Sequence, residues 1–155
     1  MKKSLSLILA AVMALLLLAS CGATTLKVDV NEAAEVLKND LSYAGSMEEL
    51  TENMLESTYE GIDVETIASF KAYISADATA EEIAVFELKD EGAAKAMKAA
   101  MDERIISQKE IYSSYSPEGA ARLDKGVVKQ AGKYVILCVS DDTDKIATVV
   151  NGLLG

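Results

Sequence analysis

The sequence predicts an α+β domain with a mostly antiparallel sheet: two β-hairpins joined by one long helix, with N-terminal helices and a C-terminal helix around them. Three observations carry that prediction. Two pairs of short segments rich in β-branched and aromatic residues stand close enough to pair locally, Phe70–Ser75 with Ile83–Leu88 and Val127–Gln130 with Tyr134–Ser140. A single helical stripe fills the stretch between the pairs. Apolar residues at helical spacing mark both ends of the remaining chain.

The elements follow in order. Asp29-Val30-Asn31-Glu32 sets a capping residue three positions before an acid, and Ala33, Leu37 and Leu41 then recur at steps of four, so a short helix begins there. Ser46-Met47-Glu48-Glu49 repeats the spacing. Met47, Leu50 and Met54 follow at i, i+3 and i+7, which predicts a second helix ending near Gly61. Asp63 opens a brief third turn through Ala68. The period then changes: Phe70, Ala72 and Ile74 alternate with Lys71, Tyr73 and Ser75, and after a loop at Ala76–Ala80 the run IAVFEL makes the second strand. Glu91 to about Ser114 is the longest helix. Ala94, Met97, Met101, Ile105, Tyr112 and Tyr115 lie on one stripe, Gln108 is its polar member, and Pro117 and Gly119 end it. Gly132 permits the turn of the second hairpin. Tyr134–Val139 is apolar on both faces, as in a central strand covered on both sides or with one face partly covered by the early helices. Ile146, Val149, Val150 and Leu153 give the closing helix.

The first twenty residues read differently. Lys2 and Lys3 precede an uncharged run from Leu5 to Ala19, the length of a signal-peptide core and short for a membrane span. The run ends at Leu18-Ala19-Ser20-Cys21-Gly22, which resembles the bacterial lipobox. That resemblance implies cleavage between Ser20 and Cys21 and a diacylglycerol on the Cys21 thiol. Two acyl chains anchor a protein stably where one does so marginally. The chain therefore divides into a signal peptide (1–20), a lipidated cysteine with a short tether (21–25) and one α+β domain (26–155).

Composition excludes several functions. The 155 residues contain no histidine and two cysteines, which removes His-dependent triads, His-bearing zinc sites and four-cysteine zinc sites. The net charge is −10. Loss of Lys2 and Lys3 with the signal leaves 13 basic residues against 25 acidic, a net charge of −12. Nucleic acid is no partner for such a surface, since phosphate binding needs a basic footprint. No P-loop, G-x-G-x-x-G, G-x-S-x-G or C-x-x-C motif is present.

The lipobox, the EIAVFELKD strand, the long acidic-basic helix and the GKYVILCVSDD strand-to-helix junction together resemble a family of small lipoproteins of Gram-positive anaerobes. Its members carry a single domain of unknown function. The likeness spans roughly Leu26 to Leu154. It implies a fold and a location, and it brings no catalytic residues with it.

Four groups of side chains are candidates for chemistry. Asp141, Asp142 and Asp144 cluster after a strand, and Asp142-Thr143-Asp144 is a D-x-D arrangement suited to a hard divalent cation. The simpler reading makes Asp141 the cap of the last helix and places Asp144 at its third position. Glu48, Glu49, Glu81 and Glu82 stand at predicted element starts, where capping and solvation account for them better than acid–base catalysis. Tyr112 and Tyr115, with Ser113, Ser114 and Ser116, form either a binding patch or the end of the buried stripe. Cys138, inside an apolar run with no basic neighbour, reads as a small buried hydrophobe.

The expectation is a lipid-anchored, non-catalytic binding or structural module on the extracytoplasmic face of the cell membrane. It attaches through diacylglycerol on Cys21 and acts with an unknown envelope protein; no cofactor is expected. The alternative is an accessory lipoprotein binding a small ligand or divalent cation. An envelope enzyme is the weaker third.

Overall fold

The computed structural model describes residues 26–155, so the signal, the cleavage site and Cys21 lie outside the described residues. The domain is α+β. One antiparallel sheet has five strands in the order β1-β2-β3-β5-β4: β1 is Met47–Glu49, β2 Ile67–Ser75, β3 Glu82–Leu88, β4 Val127–Ala131 and β5 Tyr134–Val139. Five α-helices stand among the described residues: α1 Val30–Asp40, α2 Leu55–Thr58, α3 Glu91–Ser113, α4 Pro117–Asp124 and α5 Ile146–Leu154. Short 3-10 turns at Glu52–Met54 and Val64–Thr66 complete it, the second capped by the Asp63 side chain.

Strand alternation builds two cores, one on each face of the sheet. Ile83, Val85, Ile136 and Cys138 face Ala34 and Leu37 of α1 and Ile146, Val150 and Leu154 of α5. Ala84, Phe86, Val135 and Leu137 face Met97 and Met101 of α3, with Leu55 and Tyr59 beside them. Every residue of β5 is buried, which resolves the two-faced apolar run as a strand covered on both sides. Both expected hairpins form. The second turns at Gly132, whose φ of +54° favours a residue without Cβ.

One expectation fails, and one helix was not foreseen. The predicted helix from Ser46 to Gly61 is not continuous: Met47–Glu49 is the edge strand β1, and only a 3-10 turn and the single turn α2 follow. The capping residue is taken by long-range bonds. Ser46 N–H donates to Asp77 Oδ2 at 2.6 Å, Ala76 N–H donates to Ser46 O, and Leu50 N–H donates to Ala72 O. The long helix ends at Ser113, ahead of Pro117 and Gly119 as expected, but a further helix that the sequence pattern did not predict begins at Pro117. Proline at the first helical position costs no hydrogen bond, and Ser116 Oγ accepts from Gly119 N–H at 3.2 Å, so α4 starts there.

Candidate functional site

Glu82 opens β3 and Glu81 immediately precedes it, so the two point to opposite sides. The expectation that solvent and caps account for them is corrected: the two are 2% and 5% exposed. Each is held inside by an arginine from a distant helix.

Glu82 points to the α3 face. Arg104 Nε donates to both of its oxygens at 3.0 and 2.9 Å, and Arg104 Nη1 donates to Thr58 O at 2.6 Å. The guanidinium lies 4.9 Å from the Tyr59 ring centroid, and that ring meets Phe86 edge-on at 5.6 Å. The Tyr59 hydroxyl is buried near Glu82 without a hydrogen bond of normal geometry. Burial raises the Glu82 carboxyl above its ordinary range, and Arg104 pulls it part of the way back. Outside Arg104, between α2 and α3, lies a groove of about 440 Å³ lined by Ser57, Thr58, Glu60, Glu103, Gln108 and Ile111. Glu60 and Glu103 are exposed there and form no ion pair among the described residues. Hydroxyls, an amide and two uncommitted carboxylates suit a basic or hydroxyl-rich ligand; Arg104 itself is spent on Glu82.

Glu81 points the other way, at the end of the sheet. It accepts from Ala44 N–H at 2.7 Å, Gly45 N–H at 2.9 Å and Thr79 Oγ1 at 2.8 Å, with Arg122 Nε at 3.8 Å. Arg122 Nε also donates to Asp141 Oδ1 at 2.8 Å. A Cβ on Gly45 would run into Ser75 Oγ and Thr79 Oγ1, so glycine is what lets this loop reach the carboxylate. Glu81 thus ties together the loops around residues 44, 79 and 141. With its oxygens engaged by three hydrogen-bond donors and the Arg122 guanidinium beside them, it acts as a clamp and is poorly placed as a base.

The remaining candidates are dispersed. Asp141 serves Arg122 and caps no helix. Asp142 accepts from Ser42 N–H at 2.8 Å and pairs with Lys145 at 3.2 Å; the Ser42 bond, then Lys145, holds its carboxyl below the ordinary range. The last helix starts after Lys145 with no side-chain cap, so Asp144 is not its third residue either. The carboxylates of Asp141 and Asp142 are turned to different protein partners, and among the described residues no three potential ligands cluster around a metal position. Glu48 and Glu49 lie exposed on β1, Glu49 paired with Lys71 at 2.6 Å. Cys138 is fully buried, and burial pushes its thiol up to about 12. The Tyr112 and Tyr115 rings lie 5.0 Å apart, tilted at 38°, yet Tyr115 is 56% exposed, so the buried stripe does not continue to it. Cys21 and Ser20 lie outside the described residues. Sequence reasoning missed Arg104 and Arg122, for which no local pattern signals a partner 22 or 41 positions away.

The groove and the two arginine-held carboxylates all lie within one stretch of the chain that has recognisable relatives. No curated protein and no solved structure matches the chain. Residues 39–140, from the end of α1 to the end of β5, match a family described as a domain of unknown function, DUF4358, and the chain belongs to that family.

Proposed function

We propose that the chain is a lipid-anchored, extracytoplasmic binding domain of the cell envelope. The observation that carries this reading is the run Leu18-Ala19-Ser20-Cys21, followed by Leu26 packed against the α1–α5 core. The intervening tether, residues 21–25, reaches roughly 17 Å when extended, which holds the domain at the membrane surface. The net charge of −12 keeps it off anionic lipid, so the membrane serves as anchor and not as ligand. Binding is favoured over chemistry because the buried carboxylates are engaged by protein donors, while Glu60 and Glu103 line a groove with no ion-pair partner among the described residues.

The test compares the full chain with Cys21→Ala in intact cells. The lipidated protein should partition into detergent phase, the variant into the aqueous phase. In-cell cross-linking should recover a defined envelope protein with the former and lose it with the latter. A Cys21→Ala protein that stays in the detergent phase overturns the anchor. Turnover by the purified domain that Asp142→Ala or Glu103→Ala abolishes overturns the binding role.

A further inference from the structure

We propose that the outer edge of β4 docks an extended segment of a partner polypeptide, which adds there as a sixth strand. The inference rests on the reading of the chain as a binding domain and names its surface. The register of the second hairpin is the starting point. Ala131 faces Tyr134 across the two-residue turn, then Lys129 faces Ile136 and Val127 faces Cys138. Antiparallel pairs alternate between those that exchange both backbone bonds and those that exchange none. The pair closing a two-residue turn is a bonded one, so Val127, Lys129 and Ala131 are spent on β5. The N–H and C=O groups of Val128 and Gln130 turn outward. Among the described residues no backbone or side-chain group takes them.

The two edges of the sheet differ. β1 is three residues long and carries exposed Glu48 and Glu49, the short, charged form that discourages pairing. β4 has five residues, no proline and one charge. That charge does not guard the edge: Lys129 Nζ is drawn to α5, donating to Asn151 Oδ1 at 2.8 Å. Beside the start of β4, at Gly126, a groove of about 410 Å³ opens between α3 and α4, lined by Ile105, Ile106, Glu110, Leu123 and Asp124. It adjoins the face to which Val128 turns, where Ile105 and Val128 share a core. Ile106 is 53% exposed. Glu110 is exposed and forms no ion pair among the described residues, whereas Asp124 is paired with Lys109. An added strand gains backbone bonds along β4 and places alternate side chains over this groove. The matching occupant has an apolar residue for Ile106 and a lysine or arginine for Glu110.

A second copy fits less well. Two domains of charge −12 repel. A two-fold β4 pairing would also be antiparallel and would send the two Leu26 ends, which lie near Glu87 and Tyr134 at the hairpin end, to opposite ends of the joined sheet.

The probe is an end-capped peptide with threonine at every second position and valine and lysine taking turns at the positions between, so that one face presents both an apolar and a basic side chain to the groove; it is titrated into residues 26–155, which carry both cores, and followed by amide NMR and hydrogen exchange. Shifts should concentrate at Val127–Gln130 and Ile106, and exchange at Val128 and Gln130 should slow by about tenfold or more at saturation. Gln130→Pro deletes an outward N–H without touching the β5 ladder and should abolish the effect with little change in melting temperature. Should that variant fail to fold, the same peptide N-methylated on alternate amides carries the test on the wild-type domain and should not bind. Glu110→Lys should weaken binding, as should replacing the peptide lysines by glutamate. Binding that survives both Gln130→Pro and N-methylation, or no shift at millimolar peptide, overturns the proposal. Shifts centred on Glu60 and Glu103 overturn the edge and leave the binding reading standing. A peptide-free dimer lost on Gln130→Pro overturns the assignment of the occupant.

Discussion

A carboxylate taken out of water tolerates its charge only while a partner answers it, and Glu82 has a single cationic partner among the described residues. Its side chain and that of Arg104 are 7% and 18% exposed. Removing one member of such a pair leaves the other uncompensated, which costs more than the pair itself contributes. Arg104→Met is therefore expected to lower stability by about 3 kcal/mol, read by urea unfolding. Adding Glu82→Gln in that background should restore about 1–2 kcal/mol, because the stranded charge is gone. Simple addition of the two single effects would show the pair to be uncoupled. At this scale little was legible in the sequence. Glu81-Glu82 looked like a solvated acidic start to a strand, since the residues that bury them are Arg122 and Arg104, on helices of another part of the chain. Cys138 was legible, because its burial follows from an apolar run that needs no distant partner. Asp141 and Asp142 were legible as a cluster and misread in role: their partners are Arg122 and Ser42 rather than the next helix.

Elements were read best where their own residues supply the bonds. Asp29 Oδ1 accepts from Asn31 and Glu32 N–H to start α1, and Asp90 Oδ1 accepts from Ala93 N–H at 2.8 Å to start α3. Asp90→Ala should cost about 1 kcal/mol, and Asp90→Ser should recover most of it, as measured by thermal unfolding. An equal loss in both variants would mean that the charge near the helix N-terminus, and not the cap bond, carries the effect. The misread elements are those whose bonds are made elsewhere. Ser46 has the identity and spacing of a cap, but Asp77 and β2 claim its backbone, and the segment pairs as a strand. α4 begins with the residues that ordinarily stop a helix. Its signals, proline at the first position and Ser116 just before it, were present and were outweighed by Gly119, which instead allows close approach to Tyr112. The sheet's hairpins were legible because each closes over a few residues. The order β3-β5-β4 was not, since β4 and β5 rejoin the sheet only after α3 and α4 have crossed one face.

For the whole molecule, acid titration brings opposed contributions together. Glu87 is held below the ordinary carboxyl range by Lys133, Asp124 by Lys109 and Asp142 by Ser42 with Lys145. Groups lowered on folding add stability above their unfolded values near 3.8 to 4.5, and that stability is lost as pH falls through the folded values. Glu82 is raised, so the folded state holds a proton that the unfolded chain has already released above 4.5. Its contribution therefore declines as pH rises through the raised folded value. General repulsion among the surplus acids acts in the same direction, because it eases as the pH approaches the isoelectric point near 4.5. Melting temperature should thus be higher at about pH 5.5 than at pH 8, and should fall steeply below about pH 4. Salt separates the two causes of the gain. Surface repulsion is screened within about 8–10 Å at ordinary ionic strength, while the buried Glu82–Arg104 pair is screened much less. Raising salt should remove part of the difference between pH 5.5 and pH 8 and leave a remainder. Glu82→Gln should erase that remainder even though it lowers the melting temperature at every pH. A remainder of unchanged size in Glu82→Gln would assign it to another group and end the role given to Glu82 in the acid response of the fold.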